Sequence, residues 1–204
     1  NGMFVVQTYG ATETCGDGII NYAQDAKHIG AVGQGNDYLD YKLEPDGELC
    51  IRGDSIMLGY YKDPEATAAV IDKDGWFHTG DMGVMDSDGY LFLKGRSKCM
   101  ILGPSGQNIY PEEIEGVVNN VTYVVDSLVI EDHGALVSLI YPDYHQAELD
   151  GLSKSQLEAK LLETLPEINK QIPNYAKISK MEFMPEDFER TPKRSIKRYL
   201  YQRN

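Results

Sequence analysis

Residues 95–115 read GRSKCMILGPSGQNIYPEEIE, and the texture of the chain changes across them. Before Gly95 the sequence is rich in Gly and Tyr, with short apolar stretches broken by turn signals. HIGAVGQG (28–35), EPDGELCIRG (44–53) and DSDGYLFLKG (86–95) each set Gly beside Asp, Pro or another polar residue. Gly and Asp are the residues that close tight turns, so this half reads as short strands and hairpins in a small barrel or curled sheet. DPEATAAVID (63–72) is the exception: Asp63 suits a helix cap, Pro64 a first helical position, and Glu65–Val70 a short helix.

After GRSK the pattern alternates. CMIL reads as a short apolar strand. PEEIEGVVNN opens with Pro111 and two acids in its first turn, which suits a helix. VVDSLVIEDHGALVSLIYPD reads as two β-branched strands meeting at EDHG. In SKSQLEAKLLETLPEINKQI, residues Leu157, Leu161, Leu162, Leu165 and Ile168 recur at helical spacing, with Ser153 and Gln156 placed for a capping box. KISKMEFMP reads as another strand and RSIKRYLYQ as a short terminal helix. The fold class expected is α+β. A Gly-rich, barrel-like subdomain over 1–95 precedes a small domain over 96–204, with a central sheet and flanking helices.

Composition narrows the partners. The chain has 204 residues, 42% hydrophobic and 25% charged, which suits one large domain or two small ones. Its formal net charge of −13 argues against a nucleic-acid surface and against a purely electrostatic anchor on anionic lipid. The three cysteines, Cys15, Cys50 and Cys99, form no CxxC pair or disulfide framework, which fits a reducing, cytoplasmic compartment. The four histidines show no metal-ligand spacing. No apolar run has membrane-spanning length, and the first residues carry no secretory signal.

Three stretches carry candidate chemistry. In YGATET (9–14) a Tyr can stack on a flat ring, Gly admits a ligand to the backbone, a Thr can donate to a phosphate oxygen and Glu13 can meet a hard cation. The same residues equally suit a strand end and a polar loop. In WFHTGDMG (76–83), Asp81 sits on a Gly-flanked turn, either as ordinary turn chemistry or as an acceptor held for a ligand's hydroxyls. TPKRSIKRYL (191–200) is either a solvated basic face or the seat of a functional cation.

Taken in order with GYYKDPEAT (59–67) and GRSKCMILGPSGQNIYPEEIE, these motifs resemble the ANL superfamily of adenylate-forming enzymes, over nearly the whole chain. That superfamily comprises acyl-CoA synthetases, luciferases and peptide-synthetase adenylation domains. The resemblance implies ATP, Mg²⁺ and CoA as reactants and cofactors, and a carboxylic acid as substrate. It implies that Tyr9 packs on adenine, Gly10 borders the acyl pocket, Thr12 lies near the AMP phosphate and Glu13 associates with Mg²⁺. Asp81 would accept from both ribose hydroxyls and Arg96 would reach ribose and phosphate. Lys98 would be the hinge between the large and the mobile small domain, and Gly106 would face the CoA pantetheine. Lys197 would grip the substrate carboxylate and α-phosphate during adenylation. Two anions meet in that step, and a cation between them relieves their repulsion.

Within the superfamily the chain looks most like a long-chain fatty acyl-CoA synthetase, AMP-forming. Ile196 stands where many relatives have Gly, and Pro192 to Lys197 is one residue shorter, as in the long-chain group. Lys193 is the fallback if that register is wrong. Lys98 replaces a common Asp, and Gln107 a common Lys. No Ser/Thr/Gly-rich phosphate loop ending in Lys occurs. The chain is therefore expected to be the C-terminal part of a longer ligase, inactive alone, with the missing N-terminal part as its partner. The reading leaves room for peripheral membrane contact. The alternatives are a ligase for an aryl or amino acid, and a non-catalytic module that keeps the fold.

Overall fold

The computed structural model describes residues 6–16, 18–23, 25–35 and 38–203. The chain divides into two compact units, Asn1–Lys98 and Cys99–Asn204.

In the first unit, strands β1 (Gln7–Gly10) and β2 (Gly18–Asn21) form an antiparallel hairpin. The apolar run MFVVQT (3–8) reads as a strand leading into YGATET; its residues 3–5 lie outside the described residues, and Gln7 and Thr8 fall in β1. Strands β3 (Leu39–Leu43), β4 (Glu48–Gly53), β5 (Phe77–Met85) and β6 (Leu91–Arg96) form an antiparallel sheet in sequence order. Two of the expected hairpins are here. The EPDG turn closes with Gly47 N donating to Glu44 O at 2.8 Å, and DSDG closes with Gly89 N donating to Asp86 O at 3.1 Å. HIGAVGQG, by contrast, is not a hairpin. A single 3₁₀ turn over Ala26–His28 leads into isolated bridges from Gly33 to Leu91 and from Gln34 to Ile20. A Cβ on Gly33 would lie 2.1 Å from the Ile20 carbonyl oxygen, so only glycine permits this approach. The bridges curl the antiparallel sheet into a half-barrel. Leu49 and Ile51 alternate with Glu48, Cys50 and Arg52 along β4, and the period of two sends both aliphatics into the core with Ile19, Val32, Leu39 and Leu91.

Helix α1 (Pro64–Ala68) starts as its sequence indicates: the Asp63 side chain accepts from Ala66 N at 2.9 Å. It ends before Val70 because β5 competes for the next residues. Val70 O accepts from His78 N at 2.8 Å, and Ile71 bridges Phe77.

The second unit opens with the two-residue strands β7 (Ile101–Leu102) and β8 (Asn108–Ile109), so CMIL yields only half the expected strand; Cys99 closes a 3₁₀ turn. Helix α2 (Pro111–Val118) follows, then β9 (Val124–Asp132) and β10 (Ala135–Pro142), which pair antiparallel around His133 and Gly134. Helices α3 (Tyr144–Leu149), α4 (Lys154–Leu162) and α5 (Leu165–Gln171) lead to β11 (Ile178–Phe183), which joins β10 in parallel. The sheet order is β11-β10-β9.

The capping box of α4 forms as expected: Gln156 N donates to Ser153 Oγ at 3.3 Å and Ser153 N to Gln156 Oε1 at 2.8 Å. The single helix read through Ile168 is in fact two. Pro166 has no N–H to give Leu162 O and its ring crowds that carbonyl, so the chain breaks at Glu163–Thr164 and restarts. One sheet face carries Val129, Leu136 and Ile140 under α2 and α5, in a cluster with Ile114, Val118, Ile168 and Met181. The other face carries Leu128, Ile130, Val137 and Leu139, and the chain's C-terminal segment covers it with Phe188, Ile196 and Tyr201.

That segment is not the helix expected of RSIKRYLYQ. Only Arg198–Leu200 is helical, as one 3₁₀ turn. Upstream, Thr191 N donates to Ser195 O at 2.8 Å, Arg190 bridges Ile196, and Lys197 N donates to Glu189 O at 2.8 Å. The amides a longer helix would need are spent on this loop. Among the described residues no helix is long and apolar enough to cross a membrane.

Candidate functional site

The TGD segment lies inside strand β5, not on the turn expected of it, and its backbone is held by neighbouring groups. Thr79 is buried; its Oγ1 donates to Leu49 O at 2.8 Å and accepts from Asp81 N at 3.0 Å. Glu48 reaches across from β4, where Oε1 accepts from Gly80 N at 2.9 Å and Oε2 lies 2.8 Å from His78 Nδ1. Gly80 has φ +69, the left-handed conformation that favours glycine. Phe77 anchors the start of the strand in the core, and the carboxylate four residues on stands partly exposed.

Asp81 pairs with Arg96 across β5 and β6. Arg96 Nε lies 3.2 Å from Asp81 Oδ1, and Arg96 Nη2 donates to Thr79 O at 2.9 Å. Tyr9 Oη donates to Asp81 Oδ2 at 2.6 Å. Burial and this bond push the Tyr9 phenol well above its ordinary value, so it stays a donor. The fold thus joins Tyr9, Asp81 and Arg96, residues from three separate motifs. Among the described residues each Asp81 oxygen has one side-chain partner, which leaves further lone-pair capacity on each for a ligand. The Asp81 side chain is 20% exposed and that of Arg96 60%, so the cluster is open on the arginine side.

The YGATET segment turns just after Tyr9. Thr12–Thr14 form a 3₁₀ turn, closed by the Thr14 hydroxyl, which bonds both Ala11 N and Ala11 O at 3.0 Å. Thr12 is exposed. Glu13 Oε1 accepts from Tyr60 Oη at 2.8 Å, which ties this turn to GYYKDPEAT. Gly10 is exposed and pairs with Gly18 at the hairpin end, where a Cβ on Gly18 would lie 1.8 Å from Tyr9 O. Lys98 is exposed in the 97–99 turn.

In the second unit, Gly106 sits at the exposed tip of the β7–β8 hairpin with φ +81. Lys197 lies at the start of the last 3₁₀ turn, its Nζ 3.0 Å from Glu189 Oε2. That carboxylate raises the Lys197 pKa and keeps the ammonium charged. Lys193 is exposed on the preceding loop.

Two supports escape a reading of the sequence. Glu48 looks like a strand-edge surface acid, yet it holds the backbone of the TGD segment through Gly80 N. Glu115, on the buried face of α2, accepts from Val129 N at 2.7 Å and from Arg198 Nη1 at 2.8 Å, with Arg198 Nη2 on its other oxygen. The one available signal was the helical position of Glu115 beside the apolar Ile114 and Val118.

The Glu48–His78 contact carries a pH signature. Glu48, chiefly by its hydrogen bond, raises the His78 pKa. A raised histidine contributes stability that is full below its unfolded value of about 6.5 and lost as pH rises through the folded value. Glu48→Gln should therefore destabilise more at pH 5.5 than at pH 9 in urea unfolding. A pH-independent deficit would assign the whole effect to the Gly80 bond.

The profile described as "AMP-binding enzyme C-terminal domain" matches residues 100–204. The chain is 40% identical over 140 residues to the indoleacetate–CoA ligase of Aromatoleum aromaticum, covering 63% of this chain and 27% of that protein. It is 42% identical over 127 residues to the long-chain-fatty-acid–CoA ligase of Salmonella typhimurium, covering 57% and 22%. Among solved structures, the o-succinylbenzoate CoA synthetase of Bacillus subtilis in complex with its acyl-adenylate intermediate superposes with a TM-score of 0.79 at 24% identity, covering 96% of this chain and 40% of that one. The same synthetase in complex with ATP and magnesium gives 0.73 at 24% identity, covering 95% and 40%. These structures share the mixed α+β fold. The chain spans about a quarter of the length of the curated relatives it matches.

Proposed function

The chain belongs to the AMP-binding enzyme C-terminal domain family, and from that premise we propose that it is the C-terminal part of an acid–CoA ligase. The complete ligase would condense a carboxylate with ATP to an acyl-adenylate and pass the acyl group to CoA. The observation that carries the reading is the Tyr9–Asp81–Arg96 cluster, in which a phenol and a guanidinium orient one carboxylate. Held this way, Asp81 is suited to accept from the two hydroxyls of a ribose, with Arg96 beside it for ribose and phosphate oxygens. The ring of Tyr9 packs against the barrel core, so its proposed contact with adenine would use the edge that the core leaves open.

Thr12 is proposed to donate to the AMP phosphate and Gly10 to border the acyl group. Glu13 fits Mg²⁺ by donor chemistry, since hard cations take carboxylate oxygens; magnesium would supply charge neutralisation at the phosphates. Lys197 is proposed as the cation that joins carboxylate and α-phosphate, Gly106 as the backbone that meets CoA, and Lys98 as the pivot. The acid we propose is a long-chain fatty acid, supported by the Salmonella relative. An aryl acid is the second reading, favoured by the indoleacetate ligase at nearly equal identity. Turnover of palmitate against indoleacetate by the complete ligase distinguishes them.

The ribose role is tested by binding. Asp81→Ala in the complete ligase should weaken ATP on the order of 1.5–3 kcal/mol, the cost of lost hydrogen bonds to a charged acceptor. Asp81→Asn should cost less. Equal affinity of the unmutated enzyme for ATP and 2′,3′-dideoxy-ATP would remove the ribose role.

A further inference from the structure

His28 stands outside the cluster described above, and its surroundings are unusual. The ring is buried, with only 8% of the side chain exposed, and it stacks on Tyr90 at 3.7 Å between centroids. Nδ1 lies 2.9 Å from Asp25 Oδ2. That carboxylate can only accept from it, so Nδ1 is the donor in this contact and Nε2 points the other way. Nε2 is fully buried and, among the described residues, has no hydrogen-bond partner. It faces two more carboxylate oxygens, Asp86 Oδ2 and Asp88 Oδ2, each at 3.5 Å.

Nε2 against two carboxylates calls for positive charge between them, either a proton that makes the ring an imidazolium or a metal ion, and at 3.5 Å neither carboxylate takes a hydrogen bond from it. The distances indicate which kind. At a tetrahedral ion with bonds of about 2.1 Å, neighbouring ligand atoms stand roughly 3.4 Å apart, close to the 3.5 Å from Nε2 to each carboxylate oxygen. The other histidine cluster, Glu48–Cys50–His78, differs: its His78 Nδ1 already makes a 2.8 Å bond to Glu48.

We propose that His28, Asp86 and Asp88 bind one divalent cation of the zinc class, with a fourth position left to water. One imidazole and two carboxylates suit zinc or cobalt rather than the softest or hardest metals. The local structure is built for it. Asp86 Oδ1 is taken by the amides of Asp88 and Tyr90, both at 2.9 Å, which points Oδ2 at His28. Asp25 is a positioning residue, orienting the ring as carboxylates do behind metal-bound histidines. Lys27 shares Asp88 and would yield it to the ion. The site would clip the 26–28 turn to the β5–β6 hairpin, near the isolated Gly33–Leu91 bridge.

The test is calorimetric titration of Zn²⁺ into the chelator-treated, nucleotide-free full-length protein, with the ¹⁵N resonances of His28 followed in parallel. One Zn²⁺ per chain should bind, shifting Nε2 while Nδ1 keeps its proton. His28→Ala and Asp86→Asn should each weaken binding by at least about tenfold, and Asp25→Asn by roughly tenfold through lost orientation. Lys27→Met should tighten it, because the ion then meets no competing ammonium. If His28→Ala does not fold, Asp88→Asn, on the half-exposed ligand, takes its place. Absence of binding, an unmoved Nε2 resonance, affinity unchanged in the ligand variants, or affinity lost instead in Cys50→Ser would overturn the proposal.

Discussion

Lys197→Ala is expected to lower acyl-adenylate formation by the complete ligase roughly 10²–10³-fold, the typical cost of removing one group that stabilises developing charge. The reaction of preformed acyl-adenylate with CoA should be nearly unchanged, because no anion pair has to be brought together in that step. At rest Lys197 sits on Glu189, whose side chain is 66% exposed. An exposed ion pair is worth about 0–1 kcal/mol, far less than the stabilisation the lysine is proposed to give a transition state. Release from Glu189 is therefore no obstacle, and Glu189→Gln should leave adenylation within about threefold of normal. The two half-reactions are assayed separately, by isotope exchange and by thioester formation. Equal loss in both would mean that Lys197 supports the fold or the CoA site, and Lys193 would become the better candidate.

Arg198→Ala should cost about 3 kcal/mol or more of stability at neutral pH, because it strands a buried carboxylate. Glu115 is only 9% exposed at the side chain, and Arg198 holds both of its oxygens. Burial already raises the Glu115 pKa, with the guanidinium pulling the other way. Without Arg198 it should rise further. A carboxyl whose folded pKa is raised contributes stability that is fully present below its unfolded value and lost as pH rises through the folded one. The deficit of Arg198→Ala should thus be large at pH 7.5 and shrink towards pH 5, as Glu115 takes up a proton. Urea unfolding at the two pH values measures it. The double variant Glu115→Gln, Arg198→Met should recover much of the loss. A deficit equal at both pH values would show that Arg198 acts by packing alone. Since Arg198 adjoins Lys197, the same pair fixes the proposed catalytic loop to α2.

Some of this was legible in the residues themselves. Turns, caps and strand faces are local: Asp63 caps, Ser153 and Gln156 form their box, and Leu49 and Ile51 point inward because side chains alternate along a strand. The ordered motifs, from YGATET to TPKRSIKRYL, also carried the family, since each needs only a few residues in a row. Local propensity failed where backbone groups had a distant claim on them. Val70 left its helix for β5, the amides before Arg198 went to the 189–191 loop, and HIGAVGQG gave its hydrogen bonds to β2 and β6. Side-chain clusters were beyond the sequence for the same reason. Tyr9 and Asp81 are 72 residues apart and Glu115 and Arg198 83, and a separation along the chain says nothing of which carboxylate a strand register will set beside which donor. His28 is the clearest case. The histidines show no ligand spacing in the sequence, and only the curl of the half-barrel, made possible by a glycine at position 33, brings one of them to face Asp86 and Asp88.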